Sequence, residues 1–324
     1  MKETDVSVII TTNNRAAHLQ ETLASFNRVQ VPDGLNVELL VVDNASTDDT
    51  PRVVRETPPI PRLPIRYLQE PRKGQSIARN TGIAATRSMA IMFTDDDVRP
   101  AENWLVGMTD LMLNKNAMAV AGGVTLAPHL LRPWMTEFHR SCVADSARLN
   151  RDNPEEMVGA NMGFRREVLS RVPGFDPELG PGARGFGDDT LFSMQLLKAG
   201  YRIHPAFSVT VEHHFDASRL KRTSWLTQAN KAGQTWGYII HHWQHSSVAA
   251  RTWLMKRPFR LMYERYKRRN EWPYDEGIPE WEAHILIDIH TARNYLLESR
   301  KPRRYEKQSL TLLRGSTTDL LGKV

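Results

Sequence analysis

Three consecutive aspartates, Asp95-Asp96-Asp97, close the apolar run Ser88-Met89-Ala90-Ile91-Met92-Phe93-Thr94. Along an extended backbone, residues i and i+2 point to the same side. Asp95 and Asp97 can therefore converge on one object while Asp96 points elsewhere. Two carboxylates held together repel unless a cation lies between them, and one or two carboxylates plus substrate phosphates are the usual seat of Mg²⁺. A solvated acidic turn is the competing reading of these three residues taken alone. Other polar signals sit at comparable places: Asp43 after the apolar run Val37–Val42, Asp188-Asp189 at the start of a helical pattern, and His213-His214 after Val209 and Val211. In a parallel sheet the carboxyl ends of the strands share one edge, which is where open α/β folds bind ligands. These residues can meet in one cleft there.

The elements that would carry them follow from periodicity. Val6–Thr12, Val37–Val42, Ile65–Gln69 and Ser88–Thr94 read as buried strands, separated by helical patterns over 16–27 and 75–86. Strands that are continuous apolar runs alternating with helices predict a mostly parallel sheet flanked by helices. A helix over 102–114 and a strand near 118–126 follow, then an irregular stretch over 128–158. The glycine-rich loop Gly180–Gly187 opens onto a helix over 188–198, with Gly200 as its terminal glycine. Two short strands are expected over 201–211, and helices near 219–246, 249–269 and 280–299.

The chain has 324 residues, a hydrophobic fraction of 40% and a net charge of +6. The charge is uneven: residues 219–324 carry 20 Lys+Arg against 10 Asp+Glu, or +10, while residues 1–218 carry 23 against 27, or −4. Six of the eight tryptophans also lie beyond residue 218. This divides the chain into an acidic unit over 1–218 and a basic, Trp-rich helical extension over 219–324, which suggests two jobs. The single cysteine, Cys142, excludes a disulfide framework and a cysteine-rich zinc cluster. No signal peptide or membrane-spanning run is read in the sequence, so a cytoplasmic protein is expected.

Taken in order, the motifs resemble those of the family 2 inverting glycosyltransferases, which have the GT-A fold. The matching segments are Val8 to Arg15, Val41 to Asp48, Gly74 with Ala78 to Gly82, Phe93 to Asp97, Gly159 to Phe164, Gly174-Phe175-Asp176 through Gly187-Asp188-Asp189, Gly200 to Ile203, and Val211 to His214. Two departures stand out: no proline lies near Thr11-Thr12, and Asp188 stands where the family commonly has glutamate. The resemblance implies a nucleotide-sugar donor, UDP-linked, with Thr11, Asn13, Asp43, Arg79, Asp95 and Asp96 around it. It implies Mn²⁺ or Mg²⁺ held by Asp95 and Asp97, with His213 as third ligand and His214 as its rival.

Asp189 is the general base expected to take the proton of the acceptor hydroxyl. Its competing reading is first-turn helix electrostatics, with Asp188 as the N-cap. Asn161, Gly187 and Asp188 are assigned to the acceptor or a lid. The acceptor is expected to be a glycan or lipid-linked glycan. The basic extension is expected to contact an anionic membrane through Lys267-Arg268-Arg269 and Arg300 to Arg304, with its tryptophans packed inward and no nucleic acid bound. A sugar nucleotidyltransferase is the first rival, but the turn Thr11 to Arg15 lacks the glycine- and lysine-rich phosphate loop that class uses. A non-catalytic nucleotide-sugar or nucleic-acid binder is the second, opposed by the intact acidic set.

Overall fold

The computed structural model describes residues 4–271 and 275–313. The strands are β1 (Val6–Thr12), β2 (Val37–Asp43), β3 (Ile65–Gln69), β4 (Ala90–Asp95), β5 (Val98–Pro100), β6 (Ala119–Leu126), β7 (Asn161–Arg165) and β8 (Ile203–His213). The helices are α1 (Ala16–Ser25), α2 (Thr50–Glu56), α3 (Gln75–Ala84), α4 (Trp104–Thr109), α5 (Glu137–Cys142), α6 (Asp188–Lys198), α7 (Arg222–Ile239), α8 (Ala250–Lys267) and α9 (Glu280–Glu298). The eight strands form one sheet in the order β3-β2-β1-β4-β7-β6-β8-β5.

The first half is the predicted parallel sheet. Side chains alternate across it with the period of two that extended backbone imposes. Val8, Ile10, Leu39, Val41 and Met92 pack on one face. Ile9, Leu40, Val42, Ile91 and Phe93 pack on the other. Register then fixes the site: Thr11 lies opposite Asp95, and Thr12 opposite Asp43. The ends of β2, β1 and β4 therefore form one polar row.

The second half is mixed. β7 runs antiparallel between β4 and β6, while β6 and β8 are parallel. The two short strands expected over 201–211 are one continuous strand, β8, whose pairing with β6 shifts register at Gly122/Gly123. The bulge broke the apparent periodicity without ending the strand. Directly after Asp97 the chain turns into β5, which pairs antiparallel with β8 so that Val98 faces His213. This turn carries the end of β8 to the aspartates.

The extension is helical, as expected. α7 and α9 cross closely at Gly233 and Gly237, where an added Cβ would meet the His290 Cβ at 2.3 Å and the Tyr295 nitrogen at 2.7 Å. Larger side chains at those two positions would force the helices apart. Trp225 and Trp243 are buried and Trp236 is half-buried, so these tryptophans pack inward. Among the described residues, no helix is long and apolar enough to cross a membrane.

Candidate active site

The aspartate cluster forms where β4 ends. Asp97 is buried, and its Oδ2 accepts from Arg15 Nη2 at 2.6 Å and lies 3.2 Å from His213 Nε2. The His213 ring is oriented by its Nδ1, 2.9 Å from the Val143 carbonyl oxygen. His214 sits on the opposite side of the strand and bonds Glu212 at 2.7 Å, which separates the two histidines as alternation requires. Burial would raise the Asp97 carboxyl, but His213 and Arg15 overcome it and hold Asp97 well below the usual carboxylate range. Asp95 moves the other way, raised by burial and by Asp97 against the pull of Arg79.

Asp96 faces inward. Its Oδ2 accepts from Thr12 Oγ1 at 2.7 Å, and its Oδ1 lies 3.0 Å from Arg15 Nη1. Burial first, then Asp97 and Asp95, push it up to about 7. It braces the turn between β1 and α1, whereas the family resemblance had set it against the donor. Arg15, to which the sequence assigns no role in the site, is the counter-cation of both Asp96 and Asp97.

Whether these residues suit a divalent ion is decided by their free lone pairs. Asp95 Oδ1 and Asp97 Oδ1 are buried and accept no hydrogen bond. An orphaned buried acceptor is costly, and two of them on carboxylates close enough to repel fit a shared cation. Among the described residues, no group of three or more His, Cys, Asp or Glu side chains is arranged to hold a metal ion, and both His213 ring nitrogens are engaged, so His213 does not stand as the third ligand expected of it. The donor set therefore fits an ion that takes its remaining ligands from phosphate and water.

Arg79 joins this cluster to the second acidic pair. It rises from α3, is 3% exposed, and lies between the rings of Phe93 and Phe175 at 5.7 and 5.3 Å. Its Nη1 donates to Asp188 Oδ2 at 2.5 Å, and its Nη2 is 3.6 Å from Asp95 Oδ1, too far for a hydrogen bond. Asp188 is thus a buried ion-pair partner and not the helix cap: the N-cap of α6 is Gly187, in the left-handed region at φ 83°. A Cβ on Gly187 would also lie 2.4 Å from Thr235 Cγ2 of α7, so this position requires glycine twice over.

Asp189, next in the first turn of α6, is half-buried. Its Oδ2 accepts from the Gly159 N–H at 2.9 Å and its Oδ1 from the Thr190 N–H at 2.8 Å. Burial, then Asp188, with a smaller push from Glu156 and against Arg79, raise it to about 7. That is the range in which a carboxylate accepts a proton most usefully near neutral pH.

The nucleotide edge lies along β1 and β2. Asp43 is buried, with Oδ1 accepting from the Ser46 N–H at 2.9 Å and Oδ2 from the Tyr67 hydroxyl at 2.6 Å. Asn13 is exposed and donates to the Asn44 carbonyl at 2.7 Å. Thr11 Oγ1 is 3.4 Å from Gln75 Nε2. Asn161 stands apart: it is buried, its Oδ1 accepts from Trp104 Nε1 at 2.8 Å, and its Nδ2 donates to the Gly123 and Val209 carbonyls. All its polar atoms tie β7 to its neighbours, which removes it from the acceptor side.

The loop before α6 is held from both sides. The Gln75 N–H donates to the Pro181 carbonyl at 2.9 Å, and Ser76 Oγ to the Leu179 carbonyl at 2.8 Å. From the extension, Tyr238 and Tyr305 both donate to Asp176 Oδ2 at 2.6 Å, Glu298 meets Arg184 at 3.2 Å, and Arg304 meets Glu178 at 2.9 Å. Arg304, expected among the membrane-contacting cations, is instead part of this clasp through its ion pair with Glu178. The sole local signal was Asp176 within the Gly-Phe-Asp motif.

The model described as Glycosyl transferase family 2 matches residues 7–172, and that described as Glycosyl transferase family group 2 matches residues 90–269. Succinoglycan biosynthesis protein ExoM of Rhizobium meliloti is 27% identical over 236 residues, covering 71% of this chain and 74% of that one. Glycosyltransferase AglE of Haloferax volcanii is 35% identical over 101 residues, 31% of this chain; the match spans 33% of that relative's length. Among solved structures, a Pyrobaculum calidifontis mannosyltransferase in complex with GDP-Man and Mn²⁺ superimposes over 93% of this chain and 76% of its own, with a TM-score of 0.54 at 20% identity. S. aureus TarS with UDP-GlcNAc does so over 82% and 74%, with a TM-score of 0.51 at 16% identity. Both likenesses are of fold.

Proposed function

The chain belongs to glycosyl transferase family 2, and we propose that it is a metal-dependent inverting glycosyltransferase. It would move a sugar from a nucleotide-sugar donor, UDP-linked, to a hydroxyl of a glycan or lipid-linked glycan. The observation that carries this reading is the reach of Arg79 between Asp95 at one end of the cleft and Asp188, neighbour of Asp189, at the other. It sets a candidate cation site and a candidate base on either side of one buried guanidinium.

Each residue then has a task. Asp43, Thr11 and Asn13 would hold the nucleotide along the ends of β1 and β2. Asp95 and Asp97 would hold Mn²⁺ or Mg²⁺, whose charge would stabilise the departing nucleoside diphosphate, and His213, set between the Val143 carbonyl and Asp97, would position the Asp97 carboxylate. The Mn²⁺ in the related mannosyltransferase structure supports a divalent ion without choosing between the two. Arg79 would keep Asp188 paired, so that Asp189 alone remains to accept the acceptor's proton. A base facing the donor across the cleft favours a single displacement, and hence inversion. The basic extension would seat the enzyme peripherally on the cytosolic face of an anionic membrane, where a lipid-linked acceptor is met.

The test is a panel of UDP-, GDP- and dTDP-sugars with Mn²⁺, scored for slow hydrolysis without acceptor and for the anomeric configuration of the released sugar by NMR. One donor hydrolysed with inversion is the expected result. Retention, or hydrolysis unaffected by chelation, would overturn the mechanism.

A further inference from the structure

Among the described residues, eleven large apolar side chains stand exposed, and five of them are on α8. Met255, Phe259, Met262, Tyr263 and Tyr266 are 60–71% exposed. At 3.6 residues per turn they fall within an arc of about 100°, a single stripe along three turns of helix. The other side of α8 is committed to the protein. There Leu261 is buried, Arg257 pairs with Asp288 of α9 at 2.9 Å, and Arg265 bonds Glu282. The stripe is therefore the outward face of a helix that is already fixed in place.

The charges beside the stripe have one sign. Lys256, Arg260 and Lys267 flank it, are exposed, and take part in no ion pair among the described residues. The one carboxylate in the helix sequence, Glu264, lies on the far side and pairs with Arg268 at 2.9 Å. An apolar stripe of Met, Phe and Tyr bordered by unpaired cations is the pattern of a helix lying in a membrane interface. Tyrosine suits that boundary because its ring is apolar and its hydroxyl wet.

We propose that α8 is a membrane-docking helix, which inserts Met255, Phe259, Met262, Tyr263 and Tyr266 among the acyl chains of an anionic leaflet while Lys256, Arg260 and Lys267 meet lipid phosphates. This names the contact surface for the membrane seating inferred above, and so rests on that reading. Charge complementarity selects the occupant. A second copy docked face to face would set the three cations against their own images, which is repulsive. A nucleic acid would match the cations but leave five apolar side chains against a phosphate backbone.

The experiment is flotation of the full chain with phosphatidylcholine vesicles, with and without phosphatidylglycerol, at low and high salt. Binding to the anionic vesicles that weakens with salt is expected, with little binding to the neutral ones. The variant Lys256→Gln/Arg260→Gln/Lys267→Gln should lose about a hundredfold in partitioning at low salt. Phe259→Ser/Met262→Ser should lose at least tenfold even though every cation remains. Both variants should hydrolyse a soluble nucleotide sugar as the parent does, which controls for folding. Equal binding to both vesicle types, or binding unchanged in the variants, would overturn the proposal. So would a salt-stable dimer or RNA binding abolished by the same substitutions without lipid binding. Vesicle binding needs no donor chemistry. A chain that floats but turns over no nucleotide sugar refutes the transferase reading alone, and one that turns over donor but never floats refutes the docking alone.

Discussion

Replacing Asp189 with asparagine separates proton acceptance from every other property of that side chain. The carboxylate is pushed up to about 7 by burial and by its acidic neighbours Asp188 and Glu156. Its folded pKa is therefore above its unfolded value near 3.8. A raised carboxyl contributes stability that is complete below the unfolded value and is lost as pH rises through the folded one. Three pH units correspond to at most about 4 kcal/mol. Asp189 is only partly shielded from solvent, so about 1–2 kcal/mol is the reasonable figure after screening.

Asparagine cannot ionise and escapes that loss. It does give up one of two backbone hydrogen bonds, because its Nδ2 cannot accept from Gly159 or Thr190; this costs about 1 kcal/mol at every pH. Urea titrations of both proteins should therefore show the Asp189→Asn variant less stable at pH 5 and about equal or slightly ahead at pH 8. The difference should move by about 1–2 kcal/mol between them. Asp96, also held near 7, titrates in both proteins and cancels. Transfer should fall by about 10²–10⁴-fold, with donor binding by calorimetry unchanged. In the parent, kcat/KM should climb with pH to a plateau above 7. A variant within threefold of the parent in transfer, or a stability difference that does not move with pH, would refute Asp189 as a desolvated base.

Other substitutions address the remaining parts of the site. Asp95→Ala and Asp97→Asn should each abolish turnover and lower Mn²⁺-dependent affinity for UDP at least tenfold, roughly the loss of one charge-assisted contact; calorimetry with and without the ion measures it. Arg79→Met leaves Asp188 buried without a cation and should destabilise by about 3–5 kcal/mol, while Arg79→Met/Asp188→Leu should recover part of that loss in urea melts. Tyr238→Phe and Tyr305→Phe each remove a hydrogen bond to the buried Asp176 and should cost about 1.5–3 kcal/mol, with transfer falling more than donor binding.

The residues that the sequence made legible are those whose role is announced within a few positions. Asp43 and Asp95 end apolar runs, so periodicity alone put them on one sheet edge. Asp189 followed a turn whose glycines mark unusual backbone. Arg15 was not legible, because the aspartates it meets lie more than eighty residues away. Nor was the burial of Asn161, whose partners come from three other segments. The antiparallel insertion of β7 escaped for a related reason. A strand of five residues is too short to display direction, and its partners are set by tertiary packing.

The extension is the element whose role changes most between sequence and structure. Its net charge of +10 marks it in the sequence as a membrane-contacting extension beside residues 1–218. The contacts give it a second task. Tyr238, Glu298, Arg304 and Tyr305 all bond the segment 176–184 that leads into α6, and Thr235 accepts the close approach of Gly187. A base must be held to within a fraction of an ångström to be effective, and the start of α6 is otherwise tied, among the described residues, only to Arg79 and to the segment 156–159 through Asp189, Thr190 and Ser193. The helices that would carry the membrane-facing stripe of α8 are thus the helices that grip the base. α8 packs on α9, α9 holds Arg184 through Glu298, and α7 closes on Gly187. Removing the extension would leave the aspartates of β4 in place and release Asp189, so its loss should reach catalysis itself and not the choice of acceptor alone.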